Sequence, residues 1–388
     1  HQVLLPCHLV VEGQGGGDAD QEGGREAGAG EEEGEYSDLS LSYPAARHSQ
    51  GGILQFEYTD PQTEIERLFG GFFCINAVGT VDPGDDAKFL NFLRRAKPPP
   101  RTTVYIDSSG GNVESAIAIG RIIRDSWFET SVGTYIVNRD APRELIYPRE
   151  LLRGRCFSAA TLIFIGGRLR YLQDDSKFGV HQFSFKNPDP RNLAHSQIWS
   201  AKIATYVSDM GVTPHFLELS ASVPSDELKI IDKGRLEDLR IITGGITDVT
   251  WSIQARGGGI YLKGERDSIF GHHKVLFGAG KEEGFFFIGI IESLGREREL
   301  TSFALVEIVV NDEDIRIDIS KRCDRTVNNI YVNISTSLSR EEAIIISGSK
   351  SFGVQVRANP EAEIFLGISA VSTLGAEDQL KSIFNIFS

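Results

Sequence analysis

Thr102-Thr103-Val104-Tyr105-Ile106-Asp107-Ser108-Ser109-Gly110-Gly111-Asn112-Val113 is the stretch from which the fold is read. Thr102–Asp107 is a β-branched and aromatic run of strand length, and the serines and glycines that follow end it. Beyond the turn, Val113, Ala116, Ile117, Ile119, Gly120, Ile123 and Trp127 recur at helical spacing. The period of the apolar residues therefore changes from two to about 3.6 across one Gly-Gly turn, which is a strand–turn–helix unit. Working outward, Phe72–Val78 predicts a strand, Asp85–Ala96 a helix entered through Pro83-Gly84, and Ser131–Val137 another strand. Ser158–Ile165 reads as a buried helix, Leu169–Tyr171 and Phe178–His181 as short strands, and His195–Met210 as a long amphipathic helix. Strands alternating with helices over 52–247 imply an α/β layer with a largely parallel sheet.

After Thr247 the texture changes. Gly259–Lys263, Phe285–Ile291, Ala304–Val310, Ile315–Ile319, Ile330–Ile334, Ala343–Ser347 and Gly353–Arg357 are short runs separated by Gly, Asn, Asp and Ser, and each is expected to be a strand. A boundary is placed at 248–252, with 252–388 a sandwich or open barrel ending in a short helix at Ala376–Phe384. The Gly257-Gly258-Gly259 run reads as a loop and His272-His273 as a turn; neither is assigned chemistry, since adjacent histidines in an extended chain point to opposite faces. Gly13–Glu35 is almost wholly Gly, Ala, Glu, Asp, Gln and Arg, so residues 1–50 read as a disordered acidic tail. No internal repeat is evident.

The 388 residues fit two domains and a tail, at roughly 150 residues per domain. Lys and Arg number 40 against 54 Asp and Glu, a net charge of −14 with no long basic run, which argues against a nucleic-acid partner. The apolar stretches Ala159–Gly167 and Gly284–Ile291 fall short of the ~18 residues of a membrane helix. Four cysteines (Cys7, Cys74, Cys156, Cys323) are too scattered to suggest a disulfide framework or a zinc site, and no metal or cofactor is expected. The chain begins at His1 rather than Met, so a leader segment is not readable from it.

Three segments carry residues suited to acyl transfer. The Gly110-Gly111 turn lets main-chain N–H groups approach a developing anion at a helix start. Ser158, flanked by small residues in Gly154-Arg155-Cys156-Phe157-Ser158-Ala159-Ala160, stands where a hydroxyl can enter a cleft, with the Ala159 amide beside it. His181 ends a short strand in Phe178-Gly179-Val180-His181. Taken singly, these are a tight turn, a helix N-cap and a core histidine; taken together they are a nucleophile, a base and oxyanion donors.

In this order, Tyr105–Val113, Cys156-Phe157-Ser158-Ala159-Ala160, Gly166-Gly167-Arg168-Leu169-Arg170 and Gly179-Val180-His181-Gln182 resemble the ClpP/crotonase superfamily, and most closely the ClpP-like serine peptidase-like proteins of the bacterial periplasm. The resemblance covers about residues 70–247. It implies a stacked ββα superhelix, a peptide or protein substrate and an extracytoplasmic location. It also implies Ser158 as nucleophile, His181 as base, and Gly110 or Gly111 with Ala159 as oxyanion donors. It also implies an aspartate that orients the histidine; that position falls near Leu228, so Asp226 fits with a shift of two residues, while Asp232 reads as a helix N-cap, and a Ser-His dyad with a backbone or solvent partner is the alternative. Phe157 and Ser109 stand where such proteins have a small residue and a proline, which narrows the cleft. The helix His195–Met210 corresponds to an arm used for subunit contacts, so a homo-oligomer is expected through Ile198, Ala201, Ile203, Ala204 and Val207; packing of that stripe on its own domain is the alternative.

Other readings stay open. Cys156 is taken as packing, since an extended segment does not present residues 156 and 158 at one point. A Ser-Lys mechanism, as in signal-peptide peptidases of the same superfamily, would need Lys177 or Lys202 desolvated beside Ser158. An inactive binding protein whose β-domain does the work, or a crotonase-type acyl-CoA enzyme, would fit the same architecture.

Overall fold

A computed structural model describes residues 52–69, 72–138, 146–182, 190–282 and 284–387. The expected acidic tail, 1–50, lies outside the described residues. The chain is mixed α/β with several sheets and a largely β C-terminal region, and it divides into two compact units, His1–Ile242 and Thr243–Ser388. The division falls before the expected 248–252 because Ile246 bridges Ser268 and Thr247 N–H donates to the Asp267 carbonyl, tying that segment to the second unit.

In the first unit, β1 (Gln55–Thr59) leads through α1 (Glu64–Phe69) to β2 (Cys74–Val78), α2 (Asp85–Ala96), β3 (Thr103–Asp107), α3 (Val113–Asp125) and β4 (Glu129–Val132). Then follow β5 (Thr134–Val137), β6 (Arg149–Leu152), β7 (Arg155–Phe157), α4 (Ala160–Ile165), β8 (Arg170–Leu172) and β9 (Lys177–Val180), and finally α5 (Pro190–Asp209), α6 (His215–Ala221), β10 (Lys229–Ile230) and α7 (Lys233–Asp238). A five-stranded sheet runs β1-β2-β3-β4-β8, parallel except for β1. A second sheet has the order β10-β9-β7.

Parallel strands need both faces covered. Ile75, Val104, Ile106 and Val132 meet Ile119 and Ile123 of α3 and every apolar residue of α4 in one buried core. The single strand expected over Ser131–Val137 is two. Gly133, at φ 148°, breaks it, and β5 leaves the sheet to pair with β6. The late half of α5 buries Ile203, Tyr206 and Val207 in its own unit, whereas Ile198, Ala201 and Ala204 are exposed. Asp232 caps α7 as expected, accepting the Arg235 N–H at 2.9 Å.

Arg170 is the main polar tie of this unit. Its buried guanidinium donates to the carbonyls of Ile165, Gly167, Met210, Arg240 and Ile241, binding the ends of α4, α5 and α7 to β8. Beside β1 and β6, Glu66 and Arg149 form a buried pair at 2.6 and 2.9 Å. Burial pushes the Glu66 carboxyl upward, but the Arg149 guanidinium and the amides of Gln62 and Tyr147 outweigh it and hold it down at about 2.

The second unit begins with β11 (Thr250–Arg256), β12 (Gly259–Ser268), β13 (Gly271–Gly280) and β14 (Gly284–Glu292). It continues with α8 (Glu297–Ser302), β15 (Leu305–Val310), β16 (Ile315–Asp318), β17 (Asp324–Asn328), β18 (Tyr331–Leu338), α9 (Arg340–Ser347), β19 (Ser351–Arg357), β20 (Leu366–Ser372) and α10 (Glu377–Phe387). An antiparallel sheet β11-β12-β13-β14-β18-β17 and another, β16-β15-β19-β20, share one core of Phe277, Phe287, Ile308, Phe352 and Val354. The expected strand Ala343–Ser347 is the helix α9: a capping box of Ser339 and Glu342 starts it, and Ala343 and Ile346 share its buried side. His272-His273 lies inside β13 rather than at a turn, and the hairpin turn falls at Ile269-Phe270.

Among the described residues no helix is long and apolar enough to cross a membrane.

Candidate functional site

The turn after β3 is fixed from both sides. Asp107 accepts the Arg155 N–H, Ser108 N–H donates to the Arg155 carbonyl, and Phe157 N–H donates to the Ser108 carbonyl. The end of β3 is thereby stitched to β7. Gly110 and Gly111 have φ of 101° and 134°, conformations that L side chains rarely adopt. Gly110 N–H is spent on Ser108 Oγ at 3.1 Å, and its carbonyl accepts Val81 N–H. No acceptor among the described residues takes Gly111 N–H. Of the two glycines, only the second has an amide available to a ligand. Asn112 then caps α3 by accepting the Ser115 N–H.

Ser158 sits at the junction of β7 and α4. Its N–H donates to the Gly179 carbonyl, and its own carbonyl accepts the N–H and hydroxyl of Thr161. Its φ is 55°, in the left-handed region that a serine enters at a cost. A Cβ on Gly110 would lie 2.7 Å from Ser158 Cβ and 2.9 Å from Ala159 N, so the two turns touch. Among the described residues Ser158 Oγ makes no hydrogen bond, and no acceptor takes Ala159 N–H. The hydroxyl is therefore not the side-chain cap of α4, which opens at Ala159 with no side-chain cap bond.

Cys156 points to the core and is fully buried; burial first, and the Asp107 charge second, push its thiol well above the ordinary value. It is a packing group, inert as a nucleophile.

His181 follows β9, whose pairing with β7 sets Phe157 beside Gly179 and with β10 sets Ile230 opposite Gly179. Phe178 and Val180 enter the core, so Gly179 and His181 lie on the other face, in line with Phe157 and Ile230. Continuing the register by one residue puts Leu228 opposite His181. A Cβ on Gly179 would stand 2.9–3.1 Å from Phe157, Leu228 and Ile230, which makes this face apolar. Among the described residues the His181 ring makes one hydrogen bond, from Nδ1 to the Gln182 carbonyl at 2.9 Å, and none joins it to Ser158 Oγ or to a carboxylate. Asp226 is exposed and has no hydrogen bond or ion pair with His181. Lys177 and Lys202 are both exposed, the latter lying over the Trp199 ring at 4.5 Å, so neither is the desolvated lysine a Ser-Lys mechanism needs.

The structure thus gathers Gly110, Gly111, Ser158 and Ala159 at one point and brings the strand of His181 alongside, while Asp226 stays apart. Sequence reasoning put Leu228 at the aspartate position without setting it against His181, and did not name the Gln182 carbonyl. The alternation Leu228-Lys229-Ile230 carried the signal for the first; a main-chain acceptor has no residue-type signal at all.

The second unit holds a cavity of about 470 Å³ lined by Tyr261, Leu276, Phe286, Ile288, Arg322 and Asp324, among others. Arg322 is engaged there by the Ser337 carbonyl and Glu342. No protein-family model matches the chain, and no curated protein matches it.

Proposed function

We propose that the first unit is a ClpP/crotonase-like domain acting as a serine hydrolase on peptide or protein substrates. The observation that carries this is Ser158: a serine in a strained left-handed turn between strand and helix, pressed against Gly110, with unclaimed amides at Gly111 and Ala159. Such strain persists only where surrounding structure over-determines it.

In the proposed step, Ser158 Oγ attacks the substrate carbonyl carbon while His181 takes its proton. The carbonyl π electrons move to oxygen, where the Gly111 and Ala159 amides donate to the oxyanion. Collapse expels the amine, which takes the proton back from the imidazolium, leaving an acyl-serine that water hydrolyses by the same sequence. The two side chains are not hydrogen-bonded in the resting chain, and such contacts commonly tighten only with substrate bound. A bacterial extracytoplasmic location, and assembly through the exposed Ile198, Ala201 and Ala204 of α5, belong to the same proposal. The test is labelling by a fluorophosphonate probe, which Ser158→Ala should abolish; equal labelling of that variant would remove Ser158 from the mechanism.

A second reading is a catalytically silent binding protein working through its β-rich unit. It is favoured by the lack of a carboxylate on His181 among the described residues and by the cavity between Tyr261 and Arg322. Robust Ser158-dependent turnover of casein would exclude it.

A further inference from the structure

Resting on the hydrolase reading, we propose that the imidazole of His181 is oriented by the main-chain carbonyl of Gln182 rather than by an acid, so that the site works as a serine–histidine pair with Asp226 outside the machinery. In acyl-transfer sites a general base needs its second ring nitrogen held, because that bond fixes which nitrogen carries the proton and which the lone pair. Here the holding partner is a carbonyl oxygen, 2.9 Å from Nδ1. A carbonyl can only accept, so Nδ1 is the protonated nitrogen of the neutral ring, and Nε2 keeps the lone pair that removes the Ser158 proton.

The position from which a side chain on β10 would reach the ring is already filled. Lys229 pairs with Val180, so the next residue along, Leu228, faces His181, and its Cδ1 lies over Gly179 together with Ile230. Leu228, 42% exposed, offers the ring no hydrogen-bond acceptor at that position. Asp226 lies two residues farther along, exposed and unbonded to the ring. The carbonyl thus supplies the acceptor that the leucine lacks, and it fixes the tautomer. Gln182 acts through its main chain as a positioning residue, and its own N–H is anchored on the Val223 carbonyl at 2.9 Å.

The test uses the full chain. Nitrogen-15 correlation spectra of labelled histidine, with His181 assigned by its loss in His181→Gln, should show the neutral ring protonated on Nδ1, in the parent and in Asp226→Asn alike. Fluorophosphonate labelling of Asp226→Asn should match the parent within about twofold across pH, with the same pH midpoint. A ring protonated on Nε2, or a Ser158-dependent labelling rate that falls tenfold or more in Asp226→Asn, overturns the proposal while leaving the hydrolase reading standing. Absence of Ser158-dependent labelling in the parent overturns the hydrolase reading, and the proposal with it.

Discussion

Replacing Ser158 by alanine and by glycine separates strain from chemistry at one position. Ser158 Oγ has no hydrogen bond among the described residues, so Ser158→Ala forfeits none and keeps the left-handed backbone at φ 55°. For an L residue that conformation costs about 1–2 kcal/mol, which glycine avoids. Against this, glycine's freer unfolded chain costs about 0.4–1 kcal/mol. The difference leaves Ser158→Gly more stable than Ser158→Ala by about 0.8 kcal/mol at the midpoints of the two ranges, with extremes of about 0 and 1.6 kcal/mol. For a unit of this size that is a shift of roughly 1–4 °C in the melting of the first unit. Urea titration followed by far-UV circular dichroism measures it, and both variants should lose probe labelling. If Ser158→Ala proves as stable as Ser158→Gly or more so, Ser158 is not strained, and the inference of an over-determined nucleophile turn fails.

Gly110→Ala should lose at least about 2 kcal/mol more than Gly84→Ala, because both residues have positive φ but only at Gly110 would the new methyl collide, with Phe157 O and Ser158 Cβ at 2.7 Å; chemical denaturation of the two variants compares them directly. Glu66→Gln should cost about 3–5 kcal/mol at neutral pH by leaving Arg149 buried without its partner. Since the folded carboxyl is held down at about 2, its contribution is present above the ordinary carboxylate range and is lost as pH falls toward 2. The gap between parent and variant should therefore narrow below about pH 4.5, and a constant gap would refute the pairing. Arg170→Met should remove the donor to five carbonyls, four of them in buried bonds, and cost about 3 kcal/mol or more; Arg170→Lys, with a compact ammonium, should rescue little of it by the same melting assay.

Local chemistry made the α/β frame legible. Asp85–Ala96 is helical to the residue, entered from Gly84 and closed by Lys97, whose N–H bonds the Leu93 carbonyl. The strand–Gly-Gly–helix passage at 103–125 was readable because its apolar period changes at the turn. What sequence concealed depends on long-range pairing or on backbone geometry. The β-branched run at Ile344–Ile346 suggested a strand, but the Ser339–Glu342 box and burial of Ala343 and Ile346 favour a helix. Gly133 ends β4 because the chain there must turn out toward β6, a partner far along the sequence. At the candidate site, Ser158, His181 and the Gly-Gly turn were proposed from residue type and order. The left-handed φ of Ser158, the loss of the Gly110 amide to Ser108 and the register that sets Leu228 against His181 were not, since each is decided by neighbours distant in sequence.

The helix after Ser158 has every residue buried, from Ala160 to Ile165. Its amide protons are then expected to exchange with deuterated water only when the whole unit opens, on the slowest timescale the domain possesses. A group anchored there has no private route to loosen: the proposed nucleophile inherits the lifetime of the folded state, and any covalent adduct on it would be carried by the most slowly renewed part of the chain.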